Sequence, residues 1–93
     1  MQTEYEAVQE RRTTYLGCPC YKRIAKTFPE FCQAEAYARR ILGQRPGVPV
    51  DIFERFEVQR GRYRGTDSTR VAVVSRDALG RTWTDSMTWE GLI

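Results

Sequence analysis

The chain has 93 residues, of which 41% are hydrophobic and 29% are charged, and it carries a formal net charge of +3. This length suits one small domain around one core, so we expect a single domain over residues 1–93. No apolar run reaches the roughly 20 residues of a membrane span. The N-terminal segment lacks the apolar stretch and cleavage site of a secretory signal. We therefore expect a cytoplasmic protein with no membrane partner.

The first predicted element, residues 4–16, fits two structures. Thr3 begins a capping-box pattern ahead of good helix formers, which favours a helix. Residues 13–16 instead favour extended backbone, and the Gly-Cys-Pro sequence at 17–19 predicts a turn. We interpret the segment as a long polar edge strand that forms a hairpin with a second strand over 20–26. A helix remains the alternative.

The next segment, residues 27–43, has the start, apolar period and stop of an amphipathic helix. Thr27 and Glu30 have the spacing of a capping box, and Gly43 is a typical stop. We expect the principal helix to span 29–42, with Arg39 and Arg40 in its last turn. Apolar residues at three- and four-residue spacing predict a stripe that covers a sheet: Phe31, Ala34, Ala38 and Ile41.

The remainder of the chain is predicted to form three strands, over residues 50–59, 70–75 and 81–87. A polar run with two glycines, residues 60–68, is predicted to be a loop, and residues 76–80 a hairpin connection. The predicted fold class is therefore α+β: an antiparallel sheet of about five strands with one principal helix on one face, in the order ββαβββ.

Further expectations concern the aromatic residues and the irregularities of this sheet. Phe56 and Trp83 are assigned to the core, with Trp83 on the inner face of the last strand. Glu54 interrupts the apolar face of its strand, which suggests a bulge or a position at the rim. Trp89, in the tail after the last strand, is a candidate to dock on the sheet.

The residue types give little support for catalysis. The chain has no histidine, the usual general base and commonest metal ligand. Glu54 and Glu57 would lie on opposite faces of a strand. A zinc site or a disulfide remains an alternative for the three cysteines, Cys18, Cys20 and Cys32. Structural zinc sites, however, usually have four protein ligands. We expect reduced thiols with Cys32 in the core, no metal, no cofactor, no small-molecule substrate and no enzyme activity.

The basic residues indicate an anionic partner. Thirteen of the fifteen are arginine, and residues 55–81 carry seven of them against three acidic residues. Guanidinium groups pair phosphates and carboxylates at two points, so the partner is nucleic acid or an acidic protein surface. In the RGRYRG sequence, we expect Arg60, Arg62 and Arg64 to contact phosphates while Tyr63 stacks on a base. A solvated arginine-rich surface is the alternative.

Three short sequences carry a resemblance to a known family: KTF at 26–28, QAEAYARRI at 33–41 and GRTWTD at 80–85. Over residues 20–87 the layout resembles small phage-encoded anti-CRISPR proteins that inhibit type I-F surveillance complexes. The resemblance implies a partner, the backbone subunits of a host CRISPR-Cas ribonucleoprotein, and a mechanism, occlusion of target DNA. It implies that the exposed basic residues of this region make the contact: Lys22, Lys26, Arg39 and Arg40.

Two other functions are compatible with the same residues. One is a small basic DNA- or RNA-binding module that uses the basic surface directly, which makes nucleic acid a further candidate partner. The other is a structural or assembly protein of a virion. Direct binding of nucleic acid is distinguished by a steep dependence on salt, because bound cations displace phosphate counterions.

Overall fold

A computed structural model describes residues 3–86 as a five-stranded antiparallel sheet with one helix. The strands lie in the order β2-β1-β3-β4-β5. This architecture confirms the predicted α+β class and the ββαβββ order. The elements are β1 (Thr3–Tyr15), β2 (Cys18–Phe28), α1 (Phe31–Gln44), β3 (Val50–Arg60), β4 (Tyr63–Arg76) and β5 (Thr82–Ser86).

The first segment forms the strand rather than the helix. β1 pairs with β2 along its whole length, and the last pair, Tyr15 with Cys18, closes on a two-residue turn. Leu16 and Gly17 in that turn have φ values of 52° and 81°. Two positive φ values in a two-residue loop are typical of a type I′ turn, whose twist matches that of the strands. β2 is also longer than the predicted 20–26.

The predicted loop at 60–68 is wrong, because both strands continue through it. β3 extends to Arg60 and pairs with Tyr63 at the start of β4. Gly61 and Arg62 alone form the turn, and Gly61 has a φ of 59°. A glycine at the first central position suits a type II′ turn. The pairing register shifts between Ile52 and Phe53, where Val71 of β4 is skipped, so the irregularity lies in β4 and not at Glu54 as predicted.

The helix begins later and ends later than expected. Thr27 and Phe28 belong to β2, so the predicted capping box does not form. Glu30 is the N-cap residue and makes no side-chain capping bond. The helix also continues past Gly43 to Gln44, which places the pair Arg39 and Arg40 before the last turn. Pairing with β1 therefore prevails over the local capping pattern.

The core lies between the helix and one face of the sheet. Ala34, Ala38 and Ile41 are buried as predicted, and Leu42 joins them. They pack on small and β-branched side chains from the strands: Ala7, Val50, Ile52, Ala72 and Val74. Phe31 meets Tyr5 edge to face, with ring centroids 5.8 Å apart.

Three residues assigned to the core lie elsewhere. Trp83 is 43% exposed, because Thr82 and Thr84 face the helix and the two-residue period turns Trp83 to the other side. Cys32 is exposed on the helix. Phe56 is half-buried and lies outside the core cluster. Phe56 shares the face of Ile52 but lies opposite Thr3, at the end of the described β1–β3 pairing.

Within residues 3–86, no helix is both long enough and apolar enough to span a membrane. Residue 87 of the last predicted strand and the proposed docking of Trp89 lie outside the described residues.

Candidate functional site

The edge strand β2 directs two lysines toward the helix side of the sheet. Lys26 pairs with Ala7, a core residue, so the two-residue period places Lys22, Ile24 and Lys26 on the face that the helix covers. The helix lies over the middle strands. Lys22 and Lys26 therefore remain exposed at the rim while Ile24 is half-buried between them.

The helix supplies the other side of a shallow depression along β2. Its volume is about 250 Å³, and the lining residues are Ile24, Tyr37, Arg40, Ile41, Gln44 and Arg45. The Nζ atom of Lys26 lies 5.6 Å from the centre of the Tyr37 ring, and the Arg40 guanidinium carbon lies 5.5 Å from it. Both cations are thus positioned by the same aromatic ring through cation–π contacts. Their charged groups remain available to an anion.

Two further arginines extend this cationic surface. Arg11 pairs with Lys22 across the β1–β2 hairpin and shares its face. Arg45 follows the helix, and the Gln9 side chain donates a 3.1 Å hydrogen bond to its carbonyl oxygen. We call the surface formed by Arg11, Lys22, Lys26, Arg40 and Arg45 the cationic groove. From Lys22 to Lys26 it follows β2 for about 13 Å.

The groove cations have no acidic partners among residues 3–86, where no carboxylate oxygen lies within 4.0 Å of them. The opposite face of the sheet, which we call the open face, differs. There Arg23 pairs with Glu6 and Glu10 at 3.6 and 3.4 Å. Arg55 pairs with Glu6 at 3.7 Å, and β3 and β4 contribute a further pair, Asp51 with Arg70. Arg12 on the open face lies 5.6 Å from the centre of the Tyr21 ring and has no carboxylate partner among the described residues. Unpaired positive charge is therefore greater on the helix side but is not confined to it.

Arg39 is exposed, as expected, but does not belong to the groove. Its guanidinium donates hydrogen bonds of 2.8 and 3.3 Å to the hydroxyls of Thr82 and Thr84. Successive helix residues lie about 100° apart, so Arg40 faces β2 while Arg39 faces β5. Arg39 holds the helix on the far edge of the sheet.

The RGRYRG sequence forms the tip of the β3–β4 hairpin. Arg60 and Tyr63 flank the turn, Arg62 lies in it, and Arg64 follows on the opposite face of the ribbon. The Tyr63 side chain is 63% exposed. Within the described range, no carboxylate pairs with these three arginines at 4.0 Å or less. We call this tip, Arg60 to Arg64, the arginine hairpin.

The predicted contact residues thus lie in two separate places. Among residues 3–86, β1 pairs with β3 from Thr3 to Val8, so no described strand pairs with β3 beyond the pair Thr3 with Phe56 except β4. Lys26 pairs with Ala7, which lies four residues along β1 from Thr3. Arg60 lies four residues along β3 from Phe56, the partner of Thr3, in the opposite direction. The two sites are therefore about 26 Å apart along the strand direction. The longest dimension of the molecule is 47 Å.

Two aspartates outside both sites have shifted pKa values. Burial raises the pKa of Asp51, although Arg70 acts in the opposite direction. Hydrogen bonds, first of all from the backbone N–H of Arg81, lower the pKa of Asp77. Asp77 therefore contributes stability above the unfolded pKa of 3.8, and this contribution is lost as the pH falls through its folded pKa. This pH-dependent contribution to stability comes from the connection between β4 and β5.

The cysteines do not assemble into a site. Cys18, Cys20 and Cys32 are all free thiols. Within the part of the chain that the structure describes, no three histidine, cysteine or acidic side chains are grouped so that they could hold a metal ion.

Sequence reasoning missed Arg11, Arg45 and the ring that positions the groove cations. Arg11 could have been found from the hairpin register, because the Leu16–Gly17 turn pairs it with Lys22. Tyr37 lies three residues before Arg40 and so shares its helix face. Nothing in the sequence around Arg45 indicates its position, which depends on how the chain leaves the helix.

Comparison with known proteins identified no similar protein. No family model matches the sequence. Neither a curated protein nor a solved structure matches the chain.

Proposed function

We propose that this protein binds the backbone of single-stranded nucleic acid through the cationic groove and acts by binding rather than by catalysis. The observation that supports this most directly is the contrast between the two faces of the sheet. On the open face, the acidic side chains neutralise several arginines. In the groove, Arg40 and Arg45 line the depression beside Ile24, Tyr37 and Ile41, and among the described residues none of the five groove cations is paired with a carboxylate.

The arrangement favours phosphates over bases as the contacted groups. Lys26 and Arg40 both lie over the Tyr37 ring, so that ring is not free to stack on a base. The lysines on one side and the arginines on the other can neutralise successive phosphates of one strand. Phosphate contacts carry no direct sequence information, so we expect binding of single strands with little dependence on sequence.

The test is the affinity of a labelled single-stranded oligonucleotide for three proteins: the wild type, a groove variant and a charge-matched control. The groove variant is Lys22→Gln with Arg40→Gln. The control is Arg70→Gln with Arg81→Gln, which removes the same charge from residues that pair with Asp51 and Asp77. We expect the groove variant to bind at least tenfold more weakly and the control to differ by less than about threefold.

Circular dichroism spectra should be the same for all three proteins, because the replaced side chains are outside the core. Equal weakening by the groove variant and the control would show that only net charge matters. That result would overturn the groove as the binding site.

A second candidate function is inhibition of a CRISPR-Cas surveillance complex, in which the chain occupies the surface that target DNA must reach. Of the residues that the resemblance implies, Lys22, Lys26 and Arg40 lie together in the groove. Arg39 supports the fold instead.

This candidate is tested by target-DNA binding of a type I-F surveillance complex in the presence of excess protein. We expect the wild type to reduce target binding and the groove variant Lys22→Gln with Arg40→Gln to lose this effect. Arg70→Gln with Arg81→Gln should inhibit like the wild type. Unchanged target binding with excess wild-type protein would reject inhibition and leave direct binding of nucleic acid.

A further inference from the structure

The arginine hairpin is a second cluster of basic side chains, separate from the groove. It presents cations in three directions: Arg60 beside Tyr63 on one face, Arg64 on the other and Arg62 at the turn. The exposed Tyr63 ring offers a stacking surface, unlike the ring in the groove. Among residues 3–86, no other strand pairs with the ribbon at this tip.

No continuous cationic path joins the two sites. Between them on the helix side lie the helix and the aromatic pair Tyr5 and Phe31. On the open face, Arg23 and Arg55 are held by Glu6. One short nucleic-acid strand therefore cannot contact both sites, which are about 26 Å apart along the strand direction.

We propose that one molecule of this protein holds two segments of single-stranded nucleic acid at once, one in the cationic groove and one on the arginine hairpin. This proposal rests on the proposed binding of nucleic acid and adds a second, independent site. The consequence is an ability to bridge strands. A protein with one site lacks that ability as a monomer.

The test is a capture assay with two short oligonucleotides, one biotinylated and immobilised and the other fluorescent. A length of about six nucleotides, near the lower end of the site sizes of single-strand binding folds, keeps each oligonucleotide on one site. We expect wild-type protein to capture the fluorescent strand, and a large excess of protein to abolish capture by occupying each strand separately. Sedimentation should show a complex of one protein with two oligonucleotides.

Two variants separate the sites: the groove variant Lys22→Gln with Arg40→Gln, and a hairpin variant, Arg60→Gln with Arg62→Gln and Arg64→Gln. Each should still bind one oligonucleotide at the intact site, the groove variant at least tenfold more weakly than the wild type, and each should lose capture. The variant Arg70→Gln with Arg81→Gln should capture like the wild type. All substitutions are outside the core, so the fold should not change.

Each other outcome has a definite meaning. If the wild type binds one oligonucleotide and the groove variant loses it, but nothing is captured, the second site is rejected and the proposed function stands. If capture occurs with two protein molecules in the complex, self-association replaces bridging by one chain. If no oligonucleotide binds at all, the proposed function fails together with this inference.

Discussion

At the scale of single residues, Gln9 determines how the chain leaves the helix. Its side chain is 1% exposed, and its amide nitrogen donates to the carbonyl oxygens of Arg45 and Val48 at 3.1 and 2.8 Å. These carbonyls belong to the connection between α1 and β3, which has no other tie to β1 among the hydrogen bonds of the described residues. The connection in turn places Arg45 at the end of the groove.

Gln9→Ala should therefore reduce the free energy of unfolding by about 2 kcal/mol, because two carbonyl groups lose their donor. Chemical denaturation is the measurement. Gln33→Ala, on an exposed helix position, is the control and should change stability by less than about 0.5 kcal/mol. An equally small effect at Gln9 would contradict its assigned role.

Leu16 is the one non-glycine residue with a positive φ in the part of the chain that the structure describes. Left-handed backbone costs an ordinary residue about 1–2 kcal/mol, and the side chain is 87% exposed, so it regains little by burial. Leu16→Asn should raise the free energy of unfolding by about 1 kcal/mol, since Asn-Gly is a preferred type I′ turn. Thermal denaturation measures the gain.

Leu79→Asn is the matched control for this change. Leu79 is also highly exposed, at 78%, and lies in a turn with a negative φ. It should show no comparable gain. Similar gains at both leucines would mean that polarity rather than backbone conformation is responsible.

At the scale of elements, the helix is held by its alanines as well as by its large side chains. Ala34 and Ala38 are fully buried, which lets the helix backbone approach the sheet closely. Arg39 ties the helix to β5, and Arg76 donates a 3.0 Å hydrogen bond to the carbonyl oxygen of Leu42. The last bond satisfies one of the free carbonyls at the C-terminal end of the helix.

Ala38→Arg should cost several kcal/mol of unfolding free energy, because it forces an unpaired charge into the interface between helix and sheet. Ala36→Arg is the control on the same helix: Ala36 is exposed, and its substitution should change stability by less than about 0.5 kcal/mol. A variant at Ala38 that is as stable as the parent would contradict the assigned helix face.

At the scale of the whole molecule, the distribution of charge matters more than the net charge of +3. Pairing on the open face leaves positive charge at two separated sites. For single strands, the slope of log affinity against log salt is about −0.7 per neutralised phosphate. Replacing Lys22 and Arg40 by Gln should therefore make this slope shallower by about 1.4 units in binding titrations at several salt concentrations. An unchanged slope would mean that neither residue contacts a phosphate.

The sequence by itself determined the elements and their order, because those depend on local periodicity. The apolar stripe of the helix predicted the buried face correctly, and alternating residues with turn signals predicted five strands. Boundaries were less predictable where pairing competed with local patterns. Thr27 has the chemistry of a helix cap but pairs with Glu6 in the sheet, and the glycines around Tyr63 lie in a paired hairpin rather than a loop.

The tertiary structure alone decided which side chains meet. Whether Trp83 faces the core depends on the register of β5, which places Thr82 and Thr84 toward Arg39 instead. The groove depends on the angle at which Arg40 leaves the helix and on the hairpin register that aligns Lys22 with Arg11. The candidate basic residues are visible in the sequence. Their division into two sites is not, because it follows from strand pairing between residues far apart along the chain.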